Sequence, residues 1–463
     1  MHDAETGERP REGWTRRHVI GGLTVAALPI PALAAASRSR WVTSWTASSQ
    51  GPFPSGAVVA LPDQSFAFPD PVVGARDQSF RMIVRPTIWG RRARFRFSNA
   101  FGTRPVKFGD LFVGLQSSAG AVVPGTNTPL LFAGRKDVII PPGADLWSDA
   151  VTLPFSATGQ AALAGRKLAV SFHVVGNSGP MTWHAKAMQT SYVGAPQSGS
   201  RSGEDSEQGF ATSTTGWFFL NAVDMDLPAR TPLVVCFGDS ITDGSGSTLN
   251  GDDRWPDVLQ RRLSARFPNG VAIVDAGIGS NQVTGPESYD VAAPFGGGPS
   301  ALHRMERDVA SLSGVTTVIW FEGINDLSRR DSPASAETVL TGFRDGVARM
   351  RRMIPGVRVV GATITPSLGS KGNSGLPETD EKRKTINAAI RGGGIFDAYV
   401  DFERAVLDPQ SGKLKPEFVP NSTIGGAGDQ LHPNRAGYLA MANAIDFETI
   451  LPSHGAGTRR FAT

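Results

Sequence analysis

The hydrophobic pattern of this 463-residue chain changes character once, near residues 226–232. Before that point apolar and polar residues alternate, as in the segment RARFRFS at 92–98, and turn signals follow at short intervals. An alternation of period two predicts half-buried strands, and it places one face of the 92–98 strand in solvent. Many short strands with frequent turns predict an all-β sandwich or jelly roll over residues 37–227.

From residue 228 onward, short apolar runs alternate with segments of helical periodicity. Buried strands separated by helices are typical of α/β proteins. Residues 228–455 are therefore predicted to form a doubly wound parallel sheet between two layers of helices, a flavodoxin-like three-layer arrangement. The five predicted strands cover residues 233–237, 271–274, 317–321, 357–362 and 398–402, and a closing helix is predicted over 435–451. Ligands of such sheets bind beyond the carboxyl ends of the strands.

The N-terminal 36 residues have the pattern of an export signal. Arg16 and Arg17 precede an apolar run over 19–36, and Ala32-Leu33-Ala34 supplies a small-x-small cleavage pattern. This resembles a bacterial twin-arginine signal, so we expect a periplasmic or extracellular protein with no stable membrane insertion after cleavage. An uncleaved anchor is the alternative, although the run is short and interrupted by prolines. Residues 456–463 are interpreted as a tail.

Charge and cysteine content exclude several classes of function. The formal net charge is only +4 and no basic stripe interleaved with aromatic residues appears, which argues against nucleic-acid binding. The single cysteine, Cys236, cannot form an internal disulfide and lies in an apolar run, so it is interpreted as a small core residue. We expect a monomer.

Ser240 stands in the segment VVCFGDSITDGSG, where the first predicted buried strand runs into a glycine-rich turn. A serine nucleophile needs a base within hydrogen-bond reach and a third group that orients this base. His432, in GDQLHPN, follows Asp429 by three residues and precedes a helix start, so the two side chains can meet on one turn. Taken alone, Ser240 can also be a helix cap and His432 a solvated loop residue. Three other histidines are interpreted as structural or surface residues: His173, His303 and His454.

Two further strand ends carry candidate donors for a developing oxyanion. Asn325 follows the strand at 317–321, and its side-chain amide can donate, although a turn-forming asparagine is the simpler interpretation. After the strand at 271–274 comes DAGIGSN, a glycine-rich turn that can direct a backbone N–H into the same rim.

Together the fragments GDSIT (238–242), GIGSN (277–281), GIND (323–326) and DQLHP (429–433) resemble the blocks of the SGNH, or GDSL-type, hydrolase family. The resemblance covers roughly residues 231–450, in order and with ordinary spacing. The β-rich region also looks like the N-terminal half of two-domain exported bacterial relatives, in phrases such as FSNAFGTRPV. The G-x-S-x-G elbow of α/β-hydrolases is absent, which argues against that rival serine fold.

The resemblance implies an exported serine esterase, in the broad carboxylic ester hydrolase class, that works through an acyl-enzyme without a metal or other cofactor. It makes Ser240 the nucleophile, His432 its base and Asp429 the acid that orients this base. The oxyanion hole would consist of the Ser240 N–H, the Asn325 amide and one backbone N–H of the second block.

The second block departs from the family pattern. Relatives commonly have a second adjacent glycine where this chain has Ser280. Because the donor is a backbone N–H, serine can supply it if its dihedral angles suit, and Gly279 is the alternative donor position.

The substrate stays open between small-molecule and polysaccharide-linked esters. A carbohydrate O-acetylesterase, a sugar acyltransferase and a carbohydrate-binding protein with a degenerate hydrolase half are the alternatives. The β-rich domain can bind polysaccharide, wall the site or only stabilise the fold, and its short linker favours the wall. The loop over 282–300 is expected to shape the acyl or alcohol pocket.

Overall fold

Three antiparallel sheets make up the half of the chain before residue 229, in the computed structural model, which describes residues 38–451. The predicted export signal, the tail and His454 therefore lie outside the described residues. The larger strands of this half are β1 (Ser39–Thr46), β3 (Arg76–Val84), β4 (Arg92–Ser98), β5 (Val106–Leu115), β10 (Leu168–Asn177) and β15 (Leu220–Pro228). The short ones are β2 (Gly51–Pro52), β6 (Thr128–Pro129), β7 (Asp137–Ile140), β8 (Asp145–Trp147), β9 (Val151–Thr152), β11 (Thr182–His184), β12 (Ser191–Val193), β13 (Thr212–Thr214) and β14 (Trp217–Phe218).

The two larger sheets face one another across a core of aromatic rings. One sheet has the order β13-β12-β3-β10-β5-β6 with β7 beside β5, and the other the order β1-β15-β4-β8 with β9 beside β4. Phe97 of β4 packs edge-to-face on Phe172 of β10, with ring centroids 5.2 Å apart, and in a tilted arrangement on Phe108 of β5, with centroids 5.7 Å apart. Burying such rings stabilises the sandwich by about 2–3 kcal/mol each. The predicted all-β half is confirmed. The third sheet, β14-β11-β2, is small, and α1 (Gln160–Leu163) follows a 3-10 turn over Pro154–Thr158.

The expectation that one face of the 92–98 strand meets solvent is wrong. Arg96 is only 4% exposed, and its guanidinium donates to the Ser311 hydroxyl at 2.7 Å. Arg94 donates to Asp224 and to the Ser313 hydroxyl. The arginine face of this strand therefore packs against the C-terminal half of the chain. The phenylalanine face packs in the core of the sandwich, so neither face is mainly exposed to solvent.

A parallel sheet of five strands forms the C-terminal half, in the order β17-β16-β18-β19-β20. Its strands are β16 (Leu233–Gly238), β17 (Ala272–Gly277), β18 (Val315–Phe321), β19 (Arg358–Ala362) and β20 (Ala398–Val400). Every neighbouring pair is parallel. The predicted doubly wound sheet is confirmed, with strand bounds that differ by a few residues at most.

Helices cover both faces of this sheet. They are α2 (Ser240–Asp243), α3 (Trp255–Arg266), α4 (Ala301–Met305) with a π-helical turn over Glu306–Ala310, α5 (Ile324–Leu327), α6 (Ala336–Met353), α7 (Pro377–Gly392), α8 (Phe402–Val406), α9 (Arg435–Asn443) and α10 (Phe447–Ile450). Two 3-10 turns lie at Gly372–Gly375 and Pro416–Phe418. Within residues 38–451, none of these helices has both the length and the apolar character that a bilayer crossing requires.

The predicted closing helix over 435–451 is wrong in one respect, because it is two helices. The first, α9, ends before Ala444, and the Asp446 side chain then caps a new helix by accepting the N–H of Glu448. An aspartate that satisfies a free backbone N–H competes with continuation of the preceding helix. The chain therefore turns between the two segments.

Alternate residues of β16 face two different cores. Val234 and Cys236 pack on the side of α3 and α9, and burial raises the pKa of the Cys236 thiol. Val235 and Phe237 belong to a core that continues through α4 and α6 into the sandwich. Because one apolar core crosses the connection at residues 229–232, the described chain from Arg38 onward is one compact unit. The boundary predicted between residues 227 and 228 lies at the end of β15 and stays a prediction.

Candidate active site

Ser240 lies where β16 ends and α2 begins. Gly238 lets the backbone of the neighbouring strand β18 come close at this strand end, since a Cβ there would lie 2.2 Å from the Phe321 carbonyl oxygen. Asp239 then caps α2 by accepting the Ile241 N–H at 3.0 Å. Ser240 is 6% exposed, so its hydroxyl stands at the rim of the sheet with little freedom to move.

His432 reaches Ser240 from the loop before α9. Its Nε2 lies 2.8 Å from the Ser240 Oγ, and its Nδ1 lies 2.5 Å from the Asp429 Oδ2. A carboxylate can only accept, so Nδ1 carries the proton and a neutral imidazole presents its Nε2 lone pair to the serine hydroxyl. The predicted group of serine, histidine and aspartate is thus brought together across 192 positions of sequence.

Asp429 is held in the orientation that this pairing needs. Its Oδ1 accepts the backbone N–H groups of Leu431 and His432, both at 2.9 Å. Burial raises the pKa of the Asp429 carboxyl, but the hydrogen bonds from His432 and Leu431 outweigh burial and hold this pKa well below its usual range. The carboxylate therefore stays ionised at any pH at which His432 can act as a base.

Asn325 lies on α5, beside the same rim. Its amide Nδ2 donates to the Asn281 carbonyl at 2.9 Å, which fixes the amide plane, and lies 3.4 Å from the Asp239 Oδ2. The second contact is too long to be a strong hydrogen bond, so one amide proton is available to a developing oxyanion.

The two candidate donors of the second block differ in their engagement. The Gly279 N–H donates to the Asp243 Oδ2 at 2.8 Å and is therefore not free for an oxyanion. Within residues 38–451, the structure gives the N–H groups of Ser240 and Ser280 no hydrogen-bond acceptor. Ser280 has a φ of 65°, a left-handed conformation that costs a residue with a Cβ about 1–2 kcal/mol. A glycine at this position would adopt the same conformation without that cost.

A buried arginine that the sequence did not reveal ties the strand ends together. The Arg304 guanidinium donates to the Gly238 carbonyl, the Ala276 carbonyl and the Asn281 Oδ1, at 2.7–2.8 Å. Arg304 is thereby linked to a candidate oxyanion donor, because the carbonyl of the same Asn281 accepts a hydrogen bond from the Asn325 amide. The signal in the sequence is its place between the apolar residues Leu302 and Met305. An arginine buried among apolar residues needs hydrogen-bond acceptors inside the protein.

The β-rich half contributes two further residues near the site that were not identified from the sequence. His184 and Lys186 both approach Asp243, the acceptor of the Gly279 N–H, and both are nearly fully buried. Two histidines that the sequence indicated to be structural or surface residues are so in the structure. His173 is buried and contacts Ser79 and Asp77, and His303 is exposed and contacts Ser300.

The loop over 282–300 is pinned between the two halves. Asp326 accepts the backbone N–H groups of Val283 and Thr284 at its start. Farther along, the Tyr289 hydroxyl donates to the Gln50 carbonyl, and the Gln50 amide donates to the Gly296 carbonyl. The loop therefore lies against the N-terminal half, next to the turn that carries Ser280.

Residues 236–440 match the model of the GDSL-like lipase/acylhydrolase family. No curated protein matches the chain. Among solved structures, a GDSL-like lipase from Bacteroides thetaiotaomicron is similar at 16% identity, over 46% of this chain and 85% of that chain, with a TM-score of 0.34. An inhibitor-bound aryl esterase of M. smegmatis is similar at 15% identity, over 46% and 95% of the two chains, with a TM-score of 0.35. A carbohydrate acetylesterase from Sinorhizobium meliloti is similar at 17% identity, over 46% and 95%, with a TM-score of 0.34.

Proposed function

Because residues 236–440 match the model of the GDSL-like lipase/acylhydrolase family, we propose that the chain is a serine esterase that hydrolyses carboxylic esters through an acyl-enzyme. The observation that carries this proposal is the continuous hydrogen-bonded path from the Ser240 hydroxyl through His432 to Asp429, at 2.8 and 2.5 Å. Such a path is what a weakly nucleophilic hydroxyl requires to attack an ester carbonyl.

In the acylation half of the reaction, His432 Nε2 takes the proton of the Ser240 hydroxyl as Oγ bonds to the ester carbonyl carbon. The carbonyl oxygen becomes an oxyanion, and the imidazolium is stabilised by Asp429. Collapse of this intermediate breaks the bond to the alkoxy oxygen, which takes the proton from His432 and leaves as the alcohol. In deacylation, a water molecule gives a proton to His432 as its oxygen bonds to the acyl carbon. Collapse of this second intermediate breaks the bond to the Ser240 Oγ, which takes the proton back from His432, and the acid is released.

The oxyanion that forms in acylation and again in deacylation is stabilised by three donors: the Ser240 N–H, the Ser280 N–H and the Asn325 amide. We assign the second of these to Ser280 rather than to Gly279, because the Gly279 N–H is already bonded to Asp243. These donors act mainly in the transition state, since they are directed at the charge that develops there.

We further propose that the β-rich half walls the site instead of serving only as a separate binding module. A Cβ placed on Gly279 would lie 3.1 Å from the Ala57 Cβ and 2.8 Å from the Lys186 Nζ, so residues of this half stand directly beside the oxyanion turn. The hydrogen bonds of Gln50 to the loop over 282–300 support the same proposal.

We also propose export by the twin-arginine signal, on the basis of Arg16-Arg17 and the apolar run that follows. Mass spectrometry of protein secreted by the native host should find a new N-terminus near Ala35 or Ser37. Recovery of the intact Met1 chain from the cytosol or the membrane would refute this part of the proposal.

The experiment that tests esterase activity uses a series of p-nitrophenyl esters of rising chain length, together with acetylated xylan and lysophospholipid. Ser240→Ala and His432→Ala are each expected to lower kcat by about 10³-fold or more, and the double variant to be little worse than either single one. A fluorophosphonate probe should label Ser240, as read by mass spectrometry of the labelled peptide. Ser118→Ala and His303→Ala, at exposed positions, are the matched controls. Full activity of pure Ser240→Ala would refute the assignment of the nucleophile.

A further inference from the structure

A buried cluster of ionisable side chains joins the β-rich half to the parallel-sheet half beside the active site. Asp243, the last residue of α2, has a side chain that is 1% exposed. Its Oδ1 lies 3.1 Å from the His184 Nε2, and its Oδ2 lies 3.9 Å from the Lys186 Nζ. None of the three takes part in the proton path from Ser240 to Asp429, so the mechanism above leaves their role unexplained.

His184 is held as a cation in this cluster. Its Nδ1 lies 2.8 Å from the Ser48 carbonyl oxygen, and its Nε2 lies 3.0 Å from the Lys186 carbonyl oxygen and 3.1 Å from the Asp243 carboxylate. A neutral imidazole has one N–H and would turn its lone pair toward one of these oxygens, whereas an imidazolium donates on both sides. Burial lowers the pKa of His184, but Asp243 and the two carbonyl groups outweigh burial and raise it.

Lys186 links the same cluster to the segment that follows the nucleophile. Its Nζ donates to the Ser245 Oγ at 2.6 Å, and the Ser245 N–H donates to the Ser240 carbonyl at 2.9 Å. At 2% exposure, the Lys186 amine has no room to contact a substrate directly. Its contacts therefore fix chain segments around the site.

The most consequential bond of the cluster is the one from Asp243 to the oxyanion turn. The Asp243 Oδ2 accepts the Gly279 N–H at 2.8 Å. Gly279 precedes Ser280, which has a left-handed backbone conformation that serine does not favour. Without the support of this hydrogen bond, the turn would relax to a different conformation. The turn lies close to the β-rich half, since a Cβ on Gly279 would stand 2.8 Å from the Lys186 Nζ and 3.1 Å from the Ala57 Cβ.

We propose that Lys186 and His184 are positioning residues for ester hydrolysis, which act through Asp243 to hold the Gly279–Ser280 turn with the Ser280 N–H directed at the oxyanion. The inference rests on the proposed esterase function. It makes the β-rich half part of the catalytic apparatus, because both positioning residues come from β11 and the residues directly after it.

The test compares Lys186→Met with Lys167→Met in the full chain, using p-nitrophenyl acetate as substrate. Lys167 is a matched control, because its Nζ pairs with Asp252 across the same boundary at 3.1 Å without contacting the oxyanion turn. Lys186→Met is expected to lower kcat by about 10- to 100-fold and to change KM by less than about twofold, since a misplaced donor weakens the transition state only. Lys167→Met is expected to keep the wild-type kcat.

A second measurement separates positioning from a merely structural role. A trifluoromethyl ketone forms a serine adduct that carries an oxyanion, so its inhibition constant should rise in Lys186→Met by the same factor as kcat/KM falls. His184→Gln keeps one neutral donor for Asp243, while it removes the charge and the hydrogen bond to the Ser48 carbonyl, and it should give the same kinetic pattern with a smaller loss of about 3- to 10-fold. It supplies the test if Lys186→Met does not fold, as judged by circular dichroism and a thermal melt.

The outcomes distinguish this inference from the function on which it rests. A wild-type protein without esterase activity and without fluorophosphonate labelling of Ser240 would defeat the proposed function. An active wild type with unchanged kcat and inhibition in folded Lys186→Met and His184→Gln would overturn the inference alone. A rise in KM at constant kcat, or the failure of both variants to fold, would assign the cluster a purely structural role and overturn it as well.

Discussion

Glu322 should make the stability of the fold fall as pH rises. It follows β18, is 1% exposed, and accepts the Trp320 indole N–H at 2.9 Å through Oε2. Within residues 38–451, its Oε1 has no hydrogen-bond partner. Burial raises the pKa of this carboxyl from 4.5 to about 8, in spite of the attraction of Arg304.

The sign and size of the effect follow from these two values. Below pH 4.5 the carboxyl is neutral in both the folded and the unfolded chain, so it imposes no penalty. As pH rises, the unfolded chain ionises while the folded chain keeps its proton, and the free energy of unfolding falls until about pH 8. At about 1.36 kcal/mol per pH unit, the penalty levels off near 5 kcal/mol, and about 4 kcal/mol of it develops between pH 5 and pH 9.

Glu322→Gln cannot ionise and lacks this penalty. Urea unfolding of wild type and variant, followed by circular dichroism at pH 5 and pH 9, should show the variant gaining about 4 kcal/mol relative to wild type. Asp275, whose pKa burial raises to about 7, acts in both proteins alike, whereas Asp239 repels the Glu322 carboxylate and raises its pKa, so the measured difference includes this repulsion. Glu337→Gln, at an exposed position, is the control. Equal pH dependence in wild type and Glu322→Gln would refute the reasoning.

Three further predictions concern the site. Asn325→Ala should lower kcat by about 10²–10³-fold with little change in KM, and steady-state kinetics on p-nitrophenyl acetate check it; a raised KM at normal kcat would contradict it. Ser280→Ala should be nearly silent, and Ser280→Gly should keep activity and raise the free energy of unfolding by up to about 1 kcal/mol, because φ is 65°. Ser280→Pro should abolish activity because it deletes the backbone N–H, and a thermal melt would exclude unfolding as the cause. A large loss of kcat in Ser280→Ala would contradict this assignment and indicate that the hydroxyl acts in place of the N–H. Asp429→Asn should cost less in kcat than His432→Ala, since the base survives poorly oriented, and the ranking of the two measured kcat values decides this.

The sequence by itself determined the architecture and the elements that carry the proposed chemistry. Apolar runs such as 233–237 are long enough to be buried strands, and the residues between them have helical spacing. Strands that are connected by helices run parallel, so these patterns predict a parallel sheet. Because carboxyl ends of parallel strands share one edge, Ser240 and Asn325 were expected near each other, and Asp429 three residues before His432 was expected to pair with it. These inferences depend on local pattern and short spacing, which a sequence records directly.

Only the tertiary structure decided how the two halves meet. The alternation of Arg94 and Arg96 with phenylalanines indicated a strand, but periodicity cannot tell a face in solvent from a face packed on another half of the chain. In the same way, His184 pairs with Asp243 across 59 positions, and no pattern around either residue indicates the other. Contacts between distant segments depend on how sheets twist and pack, so a buried ion pair of this kind appears only once the backbone is in place.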